Sequence, residues 1–452
     1  MENSASEICI VGLGPAGLGA ALRLADSAMA QSTLCFEAGV PVEEKFCSIL
    51  RGSPCRRVEP CQIISGVGGS SVLSGGKVSD FPAGRAMEPF TGGEPQLREC
   101  LSSALNTFGR YVPLEFDPVS PALTQECLRN YAAAGFQFRY YPAYRYRQSD
   151  LLRGYSRMID RIINSGISVH LRTEVTQITR ENDLFHVATR SPSGVHTHPC
   201  RRVLIAGGRR ANDLMQSLNG ALDLGGTTRP FDVGVRLEFP THIWPDIDEC
   251  HKDLKLHFGK ARTFCLCKDG WIAPYRTNGI FLTEGHSEPG SSTGMTNLAV
   301  TLREEPTTGS QILEAISQQL KTNSYTRPVR QRLQDFLENR ISGEPFEHDS
   351  SISFWSSGNL NHCFPDPLSE TVRSAVSYFA SRLIPKPSWS RVSVFGPELD
   401  QYWFRYPLHL GFQTSTPGLF VLGDASGHFR GILQAFCSGL TCANMLSEAR
   451  HG

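Results

Sequence analysis

Gly12, Gly14 and Gly17 follow the apolar run Ile8-Cys9-Ile10-Val11 in the spacing G-x-G-x-x-G and lead into Leu18-Gly19-Ala20-Ala21-Leu22. Residues so spaced act through their backbone. Gly12 permits a tight turn, Gly14 lets the main chain approach a pyrophosphate, and Gly17 lets the following helix close on the strand. The helix that follows the turn thereby points its N-terminus at the phosphates. Glu37 ends the next apolar run, Thr33 to Phe36, twenty residues beyond Gly17, where a carboxylate accepts hydrogen bonds from ribose hydroxyls. The arrangement implies a bound dinucleotide.

A second glycine-rich stretch, Ser65 to Lys77, carries five glycines in thirteen residues. Its interspersed Val67, Val72 and Leu73, with Ile63 and Ile64 just before it, predict a fixed loop wrapped on a ligand, because a pure linker has no use for them. Two further glycine turns end apolar runs: Arg202 to Gly208, with Ala206, Gly207 and Gly208, and Pro417 to Gly427, with Gly423 and Asp424.

The elements that must position these residues alternate between strand and helix patterns. Leu18, Ala21, Leu22, Ala25 and Met29 form one helical stripe. Helices are expected over 95–108 and 120–135, then one capped by Asp150 and closed by Gly166. Strands are expected over 167–171, 175–179, 185–188 and 202–206. Phe136 to Arg147 alternates aromatic residues with arginines; an edge strand and a cavity wall both fit that pattern. From about 216 the texture changes to strands at 231–239, 263–274 and 297–302 and helices near 310–320, 328–338 and 367–382. A strand before Gly423 and a helix over 430–447 close the pattern. The expected class is α/β: a discontinuous Rossmann-type nucleotide domain, 1–215 and 386–452, with an inserted α+β substrate domain, 216–385. The first part includes the wrapping loop 62–84 and cavity segments 95–147.

At 452 residues, two interlocked domains are expected over a single core. Lys and Arg together number 44, as do Asp and Glu, so no basic surplus points to nucleic acid or an anionic membrane. No apolar run approaches the roughly 18 residues of a membrane span. With no signal peptide legible before the first strand, a cytoplasmic protein acting on a small molecule is expected. The 14 cysteines are scattered and read as reduced thiols. Cys55, Cys61, Cys265 and Cys267 invite a metal or dithiol reading, but their spacing is not that of a zinc site, and no metal is expected.

In this order the motifs resemble the glutathione-reductase-type FAD fold. More narrowly they resemble the uncharacterised FAD-dependent dehydrogenase family related to geranylgeranyl-reductase-like flavoproteins. Cys61 to Lys77, Thr263 to Cys267 and Gly423 to Ile432 carry the closer likeness. The resemblance implies FAD, held by Gly12, Gly14, Pro15, Ala16, Gly17, Glu37, Gly68, Gly69, Ser70, Lys77, Val175, Ala206, Gly207, Gly208, Gly423, Asp424, Arg430, Gly431 and Ile432. It implies that Asp424 bonds the ribityl chain and that the last helix points its N-terminus at the flavin N1/C2=O edge, with Arg430 nearby. A helix-capping role for Asp424 is compatible with this. The family's Ser-Asp-Gly-Lys is here Ser74-Gly75-Gly76-Lys77. Gly207-Gly208 replaces the Asp-Gly of aromatic hydroxylases of the same fold, which argues against an NADPH-dependent hydroxylase.

The function these features imply is hydride transfer between a small, partly apolar organic substrate and flavin N5. Lys77, His428 and Tyr141 are the candidates for proton handling. The alternatives are a flavin monooxygenase and a non-redox isomerase, cyclase or binding protein that retains FAD. No second G-x-G-x-x-G unit lies between Phe231 and Pro385, so no dedicated NAD(P)H domain is expected, and the electron donor or acceptor stays open.

Overall fold

The computed structural model describes residues 5–305, 309–343 and 345–448. Its first sheet is parallel at its centre. Ser168–His170, Thr33–Phe36, Ser6–Val11, the end of Gly194–Ile205 and Leu419–Val421 lie side by side in that order. Glu174–Glu181 and Leu184–Ser191 extend it as an antiparallel meander leading into Gly194–Ile205. The central strands are apolar without alternation, as strands covered on both faces must be; Ile8, Cys9 and Ile10 are fully buried.

Helices Pro15–Leu24 and Ile432–Glu448 pack on this sheet and on each other. Small residues let their backbones meet. A Cβ on Gly19 would lie 2.4 Å from the Phe436 carbonyl oxygen, and one on Gly439 would lie 2.0 Å from that of Ala16. The nucleotide-type turn and the last helix are thereby fixed as one unit.

The second sheet has eight strands, in the order Ser356–Ser357, Val329–Arg332, Ser393–Asp400, Phe231–Pro240, Met295–Glu304, Ala261–Cys267, Leu256–Phe258 and Gln137–Phe138. The hairpin Trp271–Thr277 and Ile280–His286 stands beside it. After residue 216 the chain mixes helices with strands that pair antiparallel, except Val329–Arg332 beside Ser356–Ser357, which is parallel. Several boundaries differ from expectation. The run 263–274 is broken by a turn into two strands, and 328–338 is a strand followed by a short helix, Leu333–Leu337. Ser393–Asp400 carries the second sheet past residue 385, because it pairs with Phe231–Pro240 at the sheet's centre. The last four residues of the expected closing segment lie outside the described residues.

Phe136 to Arg147 is shared between two structures. Gln137–Phe138 is an edge strand of the large sheet, and Ala143–Arg145 pairs with Lys77–Ser79 and Glu115–Phe116. Asp150 does not cap its helix, which begins at Gln148; it lies in the first turn, where a carboxylate still complements the helix dipole. Instead the Glu288 carboxylate accepts from the Gln148 N–H at 2.5 Å. The expectation of reduced thiols also needs correction. Cys127 and Cys250 form a disulfide that ties helix Pro121–Ala133 to the segment before Leu256–Phe258. Among the described residues no helix is long and apolar enough to cross a membrane.

Candidate functional site

One cavity of about 640 Å³ lies where the two sheets meet, and the glycine turns line it. Gly12 has φ +96°, its N–H donates to the Phe36 carbonyl at 2.7 Å, and a Cβ there would strike Gly207 at 2.7 Å. A Cβ on Gly17 would lie 1.9 Å from the Gly12 carbonyl oxygen, which is the close helix–strand contact the spacing predicts. Gly14 differs: its Cβ would meet nothing nearer than the Gly69 Cα, at 3.8 Å. Gly14, Pro15 and Ala16 all line the cavity, so bare backbone and a helix N-terminus face it.

Glu37 is buried and lines the same cavity, but its carboxylate is already engaged by the backbone. Oε2 accepts from the Leu13 N–H at 2.8 Å, and Oε1 accepts from those of Gly39 and Gly66 at 2.8 and 2.9 Å. It ties the first turn to the second glycine loop. That loop is fixed along its length. The Gly68 N–H donates to the Leu13 carbonyl and that of Gly75 to the Gly285 carbonyl, at 2.8 and 2.9 Å. The Tyr146 hydroxyl donates to the Ser71 carbonyl at 2.8 Å. Lys45, which no motif singles out, donates to the carbonyls of Ser65 and Gly69. Burial lowers this ammonium to about 7, against the opposing charge of Glu37. Gly68 packs beneath the loop against the Tyr155 ring, while Gly69, Ser70 and Gly75 face the cavity.

Val175, Ala206, Gly207 and Gly208 line it as well. Arg209 and Arg210, the cations after that turn, are spent on protein carboxylates: Arg209 on Glu284 at 2.5 Å and Arg210 on Glu174 at 2.7 Å. From the last segment come Gly423, Asp424, Arg430, Gly431 and Ile432. Asp424 sits in the short turn Gly423–Ser426, separated from helix Ile432–Glu448 by Gly427 to Gly431, so it does not cap that helix. Its carboxylate has no hydrogen-bond partner among the described residues. Burial raises it to about 6, with Arg209 pulling the other way. Arg430 is ion-paired with Asp400, and its guanidinium lies 4.5 Å from the Phe264 ring centroid.

Of the proton-handling candidates, Lys77 and Tyr141 reach the cavity and His428 does not. The His428 Nε2 lies 2.6 Å from the Tyr406 carbonyl, and its ring meets Phe90 edge-on. Lys77 donates to the Leu266 carbonyl and pairs with Asp253 at 3.4 Å. Burial opposes its charge, but Cys267 and Asp253 hold the ammonium above its ordinary value. The Tyr141 hydroxyl donates to Asp253 at 2.6 Å, and burial with the Asp253 charge pushes it well up. Asp253 itself is held below the usual carboxylate range: Lys77 and Lys255 outweigh its burial.

Lys255 is the cavity residue the motifs miss. Its ammonium stands 5.0 Å from the Tyr141 ring centroid with no ion-pair partner among the described residues, and burial lowers it to about 8 although Asp253 supports the charge. The alternation Lys252-Asp253-Leu254-Lys255-Leu256 was the available signal, since it sets charged positions opposite leucines as a half-buried strand approaches. Of the four cysteines, Cys265 and Cys267 pair at 3.8 Å, while Cys61 instead accepts from the Arg276 N–H. Among the described residues no three His, Cys, Asp or Glu side chains gather as a metal site.

No family model matches the chain. Over 337 residues it is 23% identical to an uncharacterised protein of Clostridium beijerinckii, a match covering 66% of this chain and 61% of that relative, so the chain spans less than two thirds of that relative's length. Among solved structures it is similar to glycine oxidase from Geobacillus kaustophilus (15% identity, TM-score 0.41, 98% of this chain and 94% of that one). It is similar also to a flavoprotein/dehydrogenase from Cytophaga hutchinsonii (12%, 0.43, 99% and 79%). A third is aklavinone-11 hydroxylase in a ternary complex with FAD and aklavinone (12%, 0.40, 100% and 64%).

Proposed function

We propose that the chain is an FAD-dependent oxidoreductase that moves a hydride between a small organic substrate and the flavin. The observation that carries this reading is the convergence on one cavity of two helix N-termini, at Pro15 and Ile432, with the ribose-type carboxylate Glu37 and the unpartnered carboxylate Asp424. The donor set fits FAD. Gly14, Gly75 and Gly208 leave backbone bare toward the cavity, and Asp424 lacks the hydroxyl donors that a ribityl chain would bring. Gly14 to Ala16, Gly69 and Ser70 would hold the pyrophosphate, and Gly431 and Ile432 the flavin edge that gains negative charge on reduction. Bound there, the flavin supplies the two-electron acceptor and donor.

The chain's own residues then divide the work. Asp253 stays charged and holds the Tyr141 hydroxyl and the Lys77 ammonium in fixed positions, so both keep their protons near neutral pH. Lys255, near 8, is the group that exchanges a proton there, and it faces the Tyr141 and Phe264 rings, which offer apolar contact to a substrate. Phe231 to Pro385 contributes to a mostly antiparallel sheet and holds no second glycine turn of the nucleotide type among the described residues, which favours substrate or a protein partner over a resident nicotinamide as electron source.

The test is anaerobic mixing of the purified yellow protein with candidate organic substrates, following the flavin band. Saturable bleaching with an oxidised product supports the reading, and protein purified without flavin overturns it. NAD(P)H-dependent oxygen uptake with a hydroxylated product would make it a monooxygenase instead. A product of unchanged mass would make the flavin non-redox.

A further inference from the structure

Strand Ala261–Cys267 is regular up to Phe264 and then slips. Phe264 pairs with Ala299 and Cys267 with Asn297, so Cys265 and Leu266 together face the single residue Leu298. Cys265 takes a φ of +50°, which a side chain other than glycine's rarely adopts. In a regular strand, residues two apart are separated by about 6.7 Å along the chain. Here the bulge brings the Cys265 and Cys267 Sγ atoms to 3.8 Å.

Space has been kept for the pair. A Cβ on Gly285 would lie 2.8 Å from the Cys267 Sγ and 2.5 Å from Arg236 Nη1, and the Cys265 Sγ stands 3.8 Å from the Gly285 carbonyl. Cys265 lines the cavity, whereas Cys267 is fully buried behind it. Lys77 Nζ lies 4.0 Å from the Cys267 Sγ. Burial opposes a thiolate at Cys267, but the hydrogen bond from Cys265 and the charges of Lys77 and Arg236 pull the other way and hold it below the ordinary thiol range. The hydrogen bond shared with Cys267, together with burial, pushes Cys265 well up. One thiolate and one thiol in contact, beside a fixed cation, are the reactants of disulfide chemistry.

We propose that Cys265 and Cys267 are a redox-active dithiol of this cavity, which closes to an intramolecular disulfide as it passes two electrons to the bound flavin. The proposal rests on the FAD reading. The Cys265 S–H bond breaks and the S–S bond forms. The Cys267 thiolate and the Cys265 thiol together release two electrons and one proton, all of which the oxidised flavin accepts. The sulfurs are oxidised, the flavin is reduced, and an external thiol of low molecular weight returns the pair to the dithiol. The cavity thus holds a second two-electron carrier.

Two measurements test it, the first without the cofactor. Flavin-free protein is poised in buffers of graded reduced to oxidised glutathione, alkylated, and the peptide spanning residues 263–268 is weighed. The expected result is one cooperative transition between a doubly alkylated and an internally cross-linked peptide. Alkylation of both cysteines even in the most oxidising buffer overturns the proposal, as does glutathione bound singly to each. In the second, flavin-loaded wild type and the Cys265→Ser/Cys267→Ser double variant are first oxidised with excess oxidised glutathione, freed of it by gel filtration, and then titrated anaerobically with dithionite. The Cys127–Cys250 disulfide is present in both and cancels. Wild type is expected to take up two electrons more per flavin, and equal uptake overturns the coupling. Failure of the FAD reading looks different, because the protein then carries no flavin to titrate. If the double variant does not fold, the glutathione titration on the wild type still decides.

Discussion

The three glycines of the first turn are not equivalent, and substitution separates their roles. Gly17→Ala drives a methyl into the Gly12 carbonyl and is expected to cost 3 kcal/mol or more of stability, on the order of a severe overpacking. Gly14→Val projects into the cavity, so a melting temperature within a few degrees of wild type is expected together with loss of flavin on gel filtration. Asp424 gives two opposite signs. Its carboxyl is raised from 3.8 to about 6, so the native state resists ionising it. The penalty is absent below pH 3.8, grows between the two values and is complete above 6. Asp424→Asn should therefore stabilise flavin-free protein above pH 6, by about 3 kcal/mol at most, and leave it unchanged at low pH. The same change should weaken FAD binding, read by equilibrium dialysis, by roughly tenfold or more, since a charge-assisted hydrogen bond is worth about 1.5 to 3 kcal/mol. Lys255→Arg should erase a limb near pH 8 from the rate of anaerobic flavin bleaching. Substrate oxidation needs the neutral amine, so the wild-type rate should rise through that pH, and reduction should fall through it. The glycine spacing was legible because it encodes its own geometry. The roles of Lys45 and Asp253 were not, because they arise from contacts distant in the chain: Lys45 with Ser65 and Gly69, Asp253 with Lys77 and Tyr141.

Among elements, helix Pro15–Leu24 and helix Ile432–Glu448 cross with backbones nearly touching at Gly19 and Gly439. Gly439→Leu is expected to force them apart, costing about 3 kcal/mol in urea unfolding and releasing flavin even where the protein stays folded, because both N-termini line the cavity. Apolar periodicity placed the last helix within two residues of where it lies, but the first stripe runs on to Met29 whereas that helix ends at Leu24. In the second sheet it found Phe231–Pro240 and Met295–Glu304 but misread 328–338 and 263–274, for a physical reason. Val329–Arg332 is a strand with buried Arg330 and Gln331 in its interior, so its polarity reads as a helix face or a loop. Arg330 is accommodated by Ser393 and by the Phe346 ring. The turn between Cys267 and Trp271 is likewise invisible to a pattern that sees one apolar run from 263 to 274.

For the molecule as a whole, one continuous core includes residues of both sheets, from Ile8 and Leu204 to Val235 and Leu298. Ligand binding at their junction should accordingly raise one shared melting transition. FAD at a hundredfold its Kd is expected to add about 2.7 kcal/mol, a shift of a few degrees in differential scanning fluorimetry, with both sheets melting together by hydrogen exchange. Two resolved transitions, only one of them moved by FAD, would refute this. The discontinuous layout was legible from the order of glycine turns. That Ser393–Asp400 belongs to the inserted sheet was not, since strand pairing across such a separation leaves no local mark. The crossing of the first and last helices also orders events in time. A ribosome delivers the turn at Gly12 to Gly17 long before the helix at Ile432, so the cavity lacks one of its walls while all of the chain between them is being made. Any ligand that needs both walls can enter only after that helix is made, and until then the nascent protein carries an apolar helix face with nothing to lie on but solvent or a chaperone.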